Sequence, residues 1–145
     1  MIRRAVTADI PAIVSLGRQF YNSADFEIEA SAPWFSMAVS TYIQDTERLC
    51  IVYDNGCVKG FLMACHGQSD LFPIKVADEQ LLYVAPDARG SAWNELRQAF
   101  EQWAKDKGCK RIQLTAQNVV KPELMARLYR RSGYALADLV FFKNI

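Results

Sequence analysis

The sequence predicts an α/β (α+β) fold over residues 1–145, a single domain whose mixed central sheet is flanked by about four helices. Three observations carry that expectation. A chain of 145 residues has room for one core. Apolar runs of strand length alternate with segments of helical spacing. One run, Glu79–Pro86 (EQLLYVAP), is apolar without alternation, as expected of a central strand covered on both faces. With 51% hydrophobic and 23% charged residues, the composition excludes a mainly disordered chain.

Ile2–Val6 (IRRAV) reads as a first strand. Thr7 offers a side-chain oxygen to cap the helix that follows, with Asp9 at the positive end of its dipole. Ile10, Ile13, Val14, Gly17, Phe20 and Tyr21 then recur at helical spacing, and Pro11 is tolerated in a first turn. Asn22–Pro33 is mixed and acidic and reads as a loop, and Trp34, Met37, Ala38, Tyr42 and Ile43 mark a second helix. Two β-rich runs flank Asp54-Asn55-Gly56, a hairpin signal because both central residues of such a turn take positive φ. Gln68–Asp78 reads as a polar connection into the central strand, which Pro86-Asp87 stops. Leu96, Ala99, Phe100, Trp103 and Ala104 give the clearest helix, closed at Gly108. Lys110–Ala116 (KRIQLTA) is a fifth strand. Pro122 and Glu123 open a last helix, which carries Leu124, Met125, Leu128 and Tyr129 and ends at Gly133. Leu139–Ile145 (LVFFKNI) reads as a closing strand.

Charge and cysteine usage exclude several function classes. Seventeen Lys and Arg against sixteen Asp and Glu leave a net charge of +1, without the basic stripe a nucleic-acid binder needs. No stretch approaches the roughly 18 apolar residues of a membrane span. No signal-peptide core follows Arg3-Arg4, so a cytoplasmic protein is expected. Cys50, Cys57, Cys65 and Cys109 form no close pair and His66 is the sole histidine, so no metal site is expected and the thiols read as reduced and structural. His66 itself reads as a strand-end or core residue.

The segment Leu81–Leu96 carries the chemistry. A buried strand, then APDARGSAWN, then a helix brings backbone N–H groups and a helix dipole together at one point, which binds phosphate. Arg89 adds a charge, Gly90 lets the backbone approach closely, and Ser91 adds a hydroxyl. At about 1.5–3 kcal/mol for each N–H bonded to a charged oxygen, three or four could hold a pyrophosphate. An Arg-Gly turn that merely caps a helix would read the same way.

The chain as a whole resembles the GNAT family, the Gcn5-related N-acetyltransferases. YVAPDARGSAWNELRQAFEQWAKDKG (Tyr83–Gly108) is similar to the family's strand, glycine-rich loop and helix. LMARLYRRSGY (Leu124–Tyr134) is similar to its last helix, and Ile2–Leu16 to its first strand and helix. The likeness is to small members of the kind carried by phages and prophages. It implies an acyl-CoA N-acyltransferase fold and transfer of acetyl from acetyl-CoA to an amine. Leu82, Tyr83 and Val84 would then meet the pantetheine arm through their backbone, and Arg89, Gly90, Ser91, Ala92, Trp93 and Asn94 would wrap the pyrophosphate. Tyr129 would be the general acid. Glu79 is the candidate base, with Asp78 second; a solvated strand-start carboxylate is the other reading of Glu79, and a ring packed in the helix face that of Tyr129.

The sequence also departs from the family pattern. Ala92 and Asn94 stand where glycine or a small residue is usual, and Pro122 stands where an asparagine is expected, with Asn118 four residues earlier as its substitute. Trp93 either packs in the core or covers the cofactor. These changes leave open a GNAT-fold binding protein that has lost catalysis. The acceptor site is expected from Asn22–Thr46 and Gln68–Asp78, where Tyr21, Trp34, Phe35, Tyr42, Asp25, Glu27 and Glu29 suit a cationic amine, though the aromatic residues would serve equally as core. A homodimer through exposed strand edges or the closing strand is a further expectation.

Overall fold

The computed structural model describes residues 1–117 and 121–145, which form two compact units, Met1–Thr115 and Ala116–Ile145. In the first, β1 (Ile2–Arg4) is followed by α1 (Ile10–Asn22), α2 (Ala32–Gln44), β2 (Leu49–Asp54), β3 (Val58–Gln68) and β4 (Lys75–Val84). Then come α3 (Ser91–Asp106) and β5 (Cys109–Gln113). The sheet order is β1-β2-β3-β4-β5; the first three pairings are antiparallel, and β4 pairs with β5 in parallel through the α3 crossover.

Alternation along the strands builds two apolar layers. On one face Cys50, Val52, Phe61, Met63 and Tyr83 pack with Ile13 and Leu16 of α1 and Val39 of α2. There α1 and α2 approach closely at Gly17, where a Cβ would fall 2.3 Å from Cε1 of Phe35. On the other face α3 buries Ala92, Leu96, Phe100 and Ala104 completely. A Cβ on Gly60 would lie 3.3 Å from Cδ1 of Leu96 and 3.2 Å from the Tyr83 carbonyl, so α3 rides close over β3.

The N-terminus is tied down by ions rather than by a threonine cap. Arg3 grips Asp9 with two bonds of 2.7 and 2.9 Å and reaches Asp54 at 2.8 Å. The Asp9 carboxylate also accepts the Val6 N–H at 2.8 Å. Asp9, not Thr7, therefore satisfies the first turn. The Asn-Gly hairpin forms with only Gly56 at positive φ, because the Asp54 carboxylate accepts the Gly56 N–H at 3.0 Å and sets the turn.

The connection expected over Gln68–Asp78 shortens to residues 69–74. Gln68 pairs with Lys75, and Lys75–Asp78 are held between β3 and β5, so ladder bonds on both edges make a strand of a segment with no apolar period.

In the C-terminal unit, α4 (Pro122–Arg131) starts after Lys121, with Pro122 in its first turn, and ends at Ser132 and Gly133, whose N–H bonds the Arg130 carbonyl. The Tyr129 and Tyr134 rings lie 6.1 Å apart, and the Tyr134 N–H bonds the Tyr129 carbonyl at 3.0 Å. The expected closing strand is not formed: residues 134–145 carry no ladder, and Leu139, Val140, Phe141 and Phe142 are exposed. Their composition favours extended backbone, but a strand exists only where a partner takes its N–H and C=O groups.

Candidate active site

The site grows from the point where β4 and β5 part. Their last pair is Asp78 with Gln113, after which β4 runs on to Val84 with β3 alone. The ladder phase decides which backbone groups then face the open side. The Ala85 N–H bonds the Lys59 carbonyl, so alternation turns Tyr83 toward β3 and leaves Leu82 and Val84 with outward N–H and C=O groups. The Tyr83 backbone groups thus bond β3, while those of Leu82 and Val84 face away from it. The Tyr83 side chain is buried, edge-on to Phe20 at 5.9 Å.

Pro86–Ala88 form one tight turn, clipped to β3 by the Lys59–Asp87 ion pair at 2.8 Å. Arg89 doubles back so that its Nε donates to the Val84 carbonyl at 3.3 Å, which anchors the guanidinium at the end of the strand. Gly90 follows at φ 108° and ψ −95°, a conformation that L side chains rarely adopt. It is the N-cap of α3 and has no side chain to occupy the first turn, so the N–H groups of Ser91, Ala92 and Trp93 point out of the helix start. Ser91 and Asn94 are exposed, and the Asn94 side-chain oxygen accepts from Arg97 at 3.2 Å.

Of the residues that depart from a glycine-rich loop, Ala92 faces inward and Asn94 outward, and Trp93 between them is buried. Ala92 is fully buried and Trp93 nearly so, with the Arg97 guanidinium 5.4 Å over the indole. Of the two readings of Trp93, core packing is the one observed. Ala92 sits in the helix proper, where negative φ accommodates a Cβ. Both can therefore meet an anion only through their N–H groups. Asn118 lies outside the described residues.

Two carboxylates stand at the fork. Between Met63–Leu81 and Ala64–Glu79 the register shifts, leaving Gln80 as the inserted residue of a β-bulge. Without it Glu79 would share the face of Leu81 and Tyr83. With it Glu79 opposes Ala64 and turns to the α3 side, where it is only 4% exposed. Its Oε2 accepts the Thr115 N–H at 3.0 Å and the Thr115 hydroxyl at 2.9 Å. Burial raises the Glu79 pKa, and the two bonds from Thr115 oppose that rise. Asp78, half-buried opposite Cys65, is also raised by burial. Thr115 was not foreseen, since nothing in QLTA marks a partner 36 residues away from Glu79.

Of the other expected residues, Tyr21 stacks on Phe26 at 5.9 Å and donates to the Ile28 carbonyl at 2.6 Å, which orders the loop bearing Asp25, Glu27 and Glu29. Phe35 packs near Phe61, Tyr42 lies under the Arg48 guanidinium at 4.9 Å, and Trp34 is 72% exposed on α2. His66 is structural, bonded to Glu47 at 3.1 Å and edge-on to Trp103. Among the described residues no group of His, Cys, Asp and Glu could hold a metal ion, and no helix is long and apolar enough to cross a membrane. Tyr129 is a buried residue of the C-terminal unit.

Solved structures share this fold over the whole chain. A transcriptional regulator from Bacillus halodurans C-125 matches with a TM-score of 0.81 and 21% identity, covering 100% of this chain and 99% of its own. The ribosomal-protein-alanine N-acetyltransferase of Brucella melitensis biovar Abortus 2308 matches at 0.75 and 16%, covering 100% and 99%. An aminoglycoside acetyltransferase from an uncultured soil metagenomic sample matches at 0.72 and 18%, covering 100% and 95%. No curated protein matches in sequence. Residues 14–134 match the acetyltransferase (GNAT) family across both units, and the chain belongs to that family.

Proposed function

We propose that the protein transfers an acetyl group from acetyl-CoA to a primary amine by direct attack in a ternary complex. The observation that carries this reading is the parting of β4 from β5 beside the bare start of α3. Leu82 and Val84 offer outward backbone groups there to an extended amide-bearing arm. The first-turn N–H groups of α3, with Arg89 and Ser91, suit a pyrophosphate. The residues present therefore fit the co-substrate.

Bound acetyl-CoA supplies an acetyl thioester, whose C–S bond breaks as the amine nitrogen forms the amide. For a lysine-like amine of pKa about 10.4, reaching the neutral form at pH 7.5 costs about 4 kcal/mol. Glu79 is the proton acceptor, since burial at the fork raises its affinity for a proton. Tyr129 is the donor to the departing sulfur, a role that a phenol hydroxyl can fill. Asp25, Glu27 and Glu29 with Tyr21 and Trp34 give the acceptor side a character that favours a cationic amine.

A non-catalytic binding protein was the alternative, on the strength of Ala92 and Asn94. The buried Cβ of Ala92 adds nothing to the outer surface of the loop, so that motive now rests on the exposed Asn94 alone. Calorimetric titration with acetyl-CoA tests the reading first: no binding at millimolar ligand would refute it. Thiol release over a panel of amines, peptides and aminoglycosides then finds the acceptor. With that acceptor, Tyr129→Phe lowers turnover about 100-fold or more while leaving acetyl-CoA affinity intact; unchanged turnover would remove Tyr129 from the mechanism.

A further inference from the structure

We propose that Thr115 is a positioning residue for Glu79: its backbone N–H and its hydroxyl together hold one carboxylate oxygen, Oε2, so that a proton taken up by this side chain is confined to Oε1. The assignment rests on the reading of Glu79 as proton acceptor. Its basis is the placement of both residues. Glu79 follows the last β4–β5 pair, Asp78 with Gln113, and Thr115 lies two residues beyond Gln113 at the end of β5. The two bonds therefore bridge the strands where they begin to part.

An oxygen that already accepts two donors within 3.0 Å is the poorer place for a proton. Glu79 is only 4% exposed, and the two bonds from Thr115 are what offset the burial of its carboxylate. Among the described residues, burial and the bonds from Thr115 are the influences that act on Glu79. Ala64 opposes Glu79, Ala77 stands two residues earlier on its strand, and α3 buries Leu96, Phe100 and Ala104. Of the neighbouring titratable groups, Asp78 and Cys65 pair with each other across the ladder and lie on the opposite face, and β5 contributes Gln113. Among the described residues, the Thr115 hydroxyl is thus the side-chain group that distinguishes the two carboxylate oxygens.

Glutamate labelled with 13C at the carboxyl carbon allows the titration to be followed by NMR in the whole chain, without any acceptor. The Glu79 signal is assigned by its loss in Glu79→Gln. In the unmodified protein its midpoint lies above the ordinary glutamate value of about 4.3. Thr115→Val keeps the shape and the backbone bond and moves the midpoint up by about one further pH unit. Thr115→Ser moves it by less than about 0.3 unit. Thr115→Ala shifts the midpoint as valine does and serves if the valine protein does not fold. Midpoints unchanged in both hydroxyl-free proteins, or a serine protein shifted as far as they are, would overturn the assignment. Wild-type turnover in Glu79→Gln would instead overturn the reading of Glu79 as base, without altering the carboxyl titration, so the two failures are distinguishable.

Discussion

Replacing Gly90 with alanine isolates the conformational contribution of the loop before α3. A Cβ built there meets no atom within 4 Å, so the substitution introduces no clash. What it introduces is backbone strain, because φ 108° with ψ −95° is a region that alanine occupies at a cost of about 1–3 kcal/mol. That cost surfaces in one of two places. If the loop keeps its shape, the free protein is less stable by that amount, which lowers Tm by about 2–4 °C for each kcal/mol in a chain of this size. If the loop relaxes, the free protein melts normally, but binding must restore the shape and acetyl-CoA affinity falls about 5- to 150-fold. Melting and calorimetry on the same sample should return losses that sum to about 1–3 kcal/mol. Gly56→Ala is the matched control: it has the same φ of 108° and open space around its Cβ, but stands in the β2–β3 turn. It should lower Tm without changing affinity. If Gly90→Ala neither melts earlier nor binds more weakly, the role given to this loop is wrong.

Gly17→Ala would place a methyl 2.3 Å from the Phe35 ring, and the overpacking cost of about 1–3 kcal/mol exceeds the roughly 1 kcal/mol gained in helix propensity; a denaturant midpoint above that of the parent would contradict the close packing of α1 on α2. The Asp9 carboxyl is held below its ordinary range by the Arg3 guanidinium, so its stabilising contribution is present above about pH 3.9 and is lost as pH falls through the folded value. Asp9→Asn should accordingly lower Tm at pH 7 and flatten the acid limb of the Tm–pH curve, and parallel curves would refute the pairing. The Glu79 carboxyl is raised by burial, so its contribution is full below about pH 4.3 and is lost as pH rises through the folded value. Tm of Glu79→Gln relative to the parent should therefore be higher at pH 8 than at pH 5, and a difference independent of pH would show that the buried carboxylate is not under strain.

What was legible in the sequence is what repeats locally. Leu96, Phe100 and Ala104 at helical spacing fixed α3, and the unbroken run through Leu81, Tyr83 and Val84 marked a strand, although β4 stands fourth of five and not at the centre. Gly90 could be singled out because a strand, a glycine and an amphipathic helix in succession leave few ways to join them. The start of β4 was hidden because Lys75 and Asp78 owe their extended backbone to neighbours on both sides. The pairing of Arg3 with Asp54 was hidden because it spans 51 residues. Leu139–Phe142 shows the opposite failure, strand composition without a ladder.

The single residue Gln80 links these two kinds of information. From Leu81 onward β4 is the apolar strand that residue types alone announce, and its pairing with β3 seats Tyr83 against α1 and α2. One extra residue reverses the phase, and strand alternation then carries Glu79 to the other face, away from solvent and within reach of Thr115. A carboxylate at a strand start would ordinarily be solvated and near its usual pKa. The bulge removes Glu79 from water where β5 departs, and Thr115 supplies the two donors that make the burial tolerable. The chemical character proposed for Glu79 is thus a consequence of ladder register, a property that pairing with β3 confers and that neither glutamate nor its neighbours along the chain display.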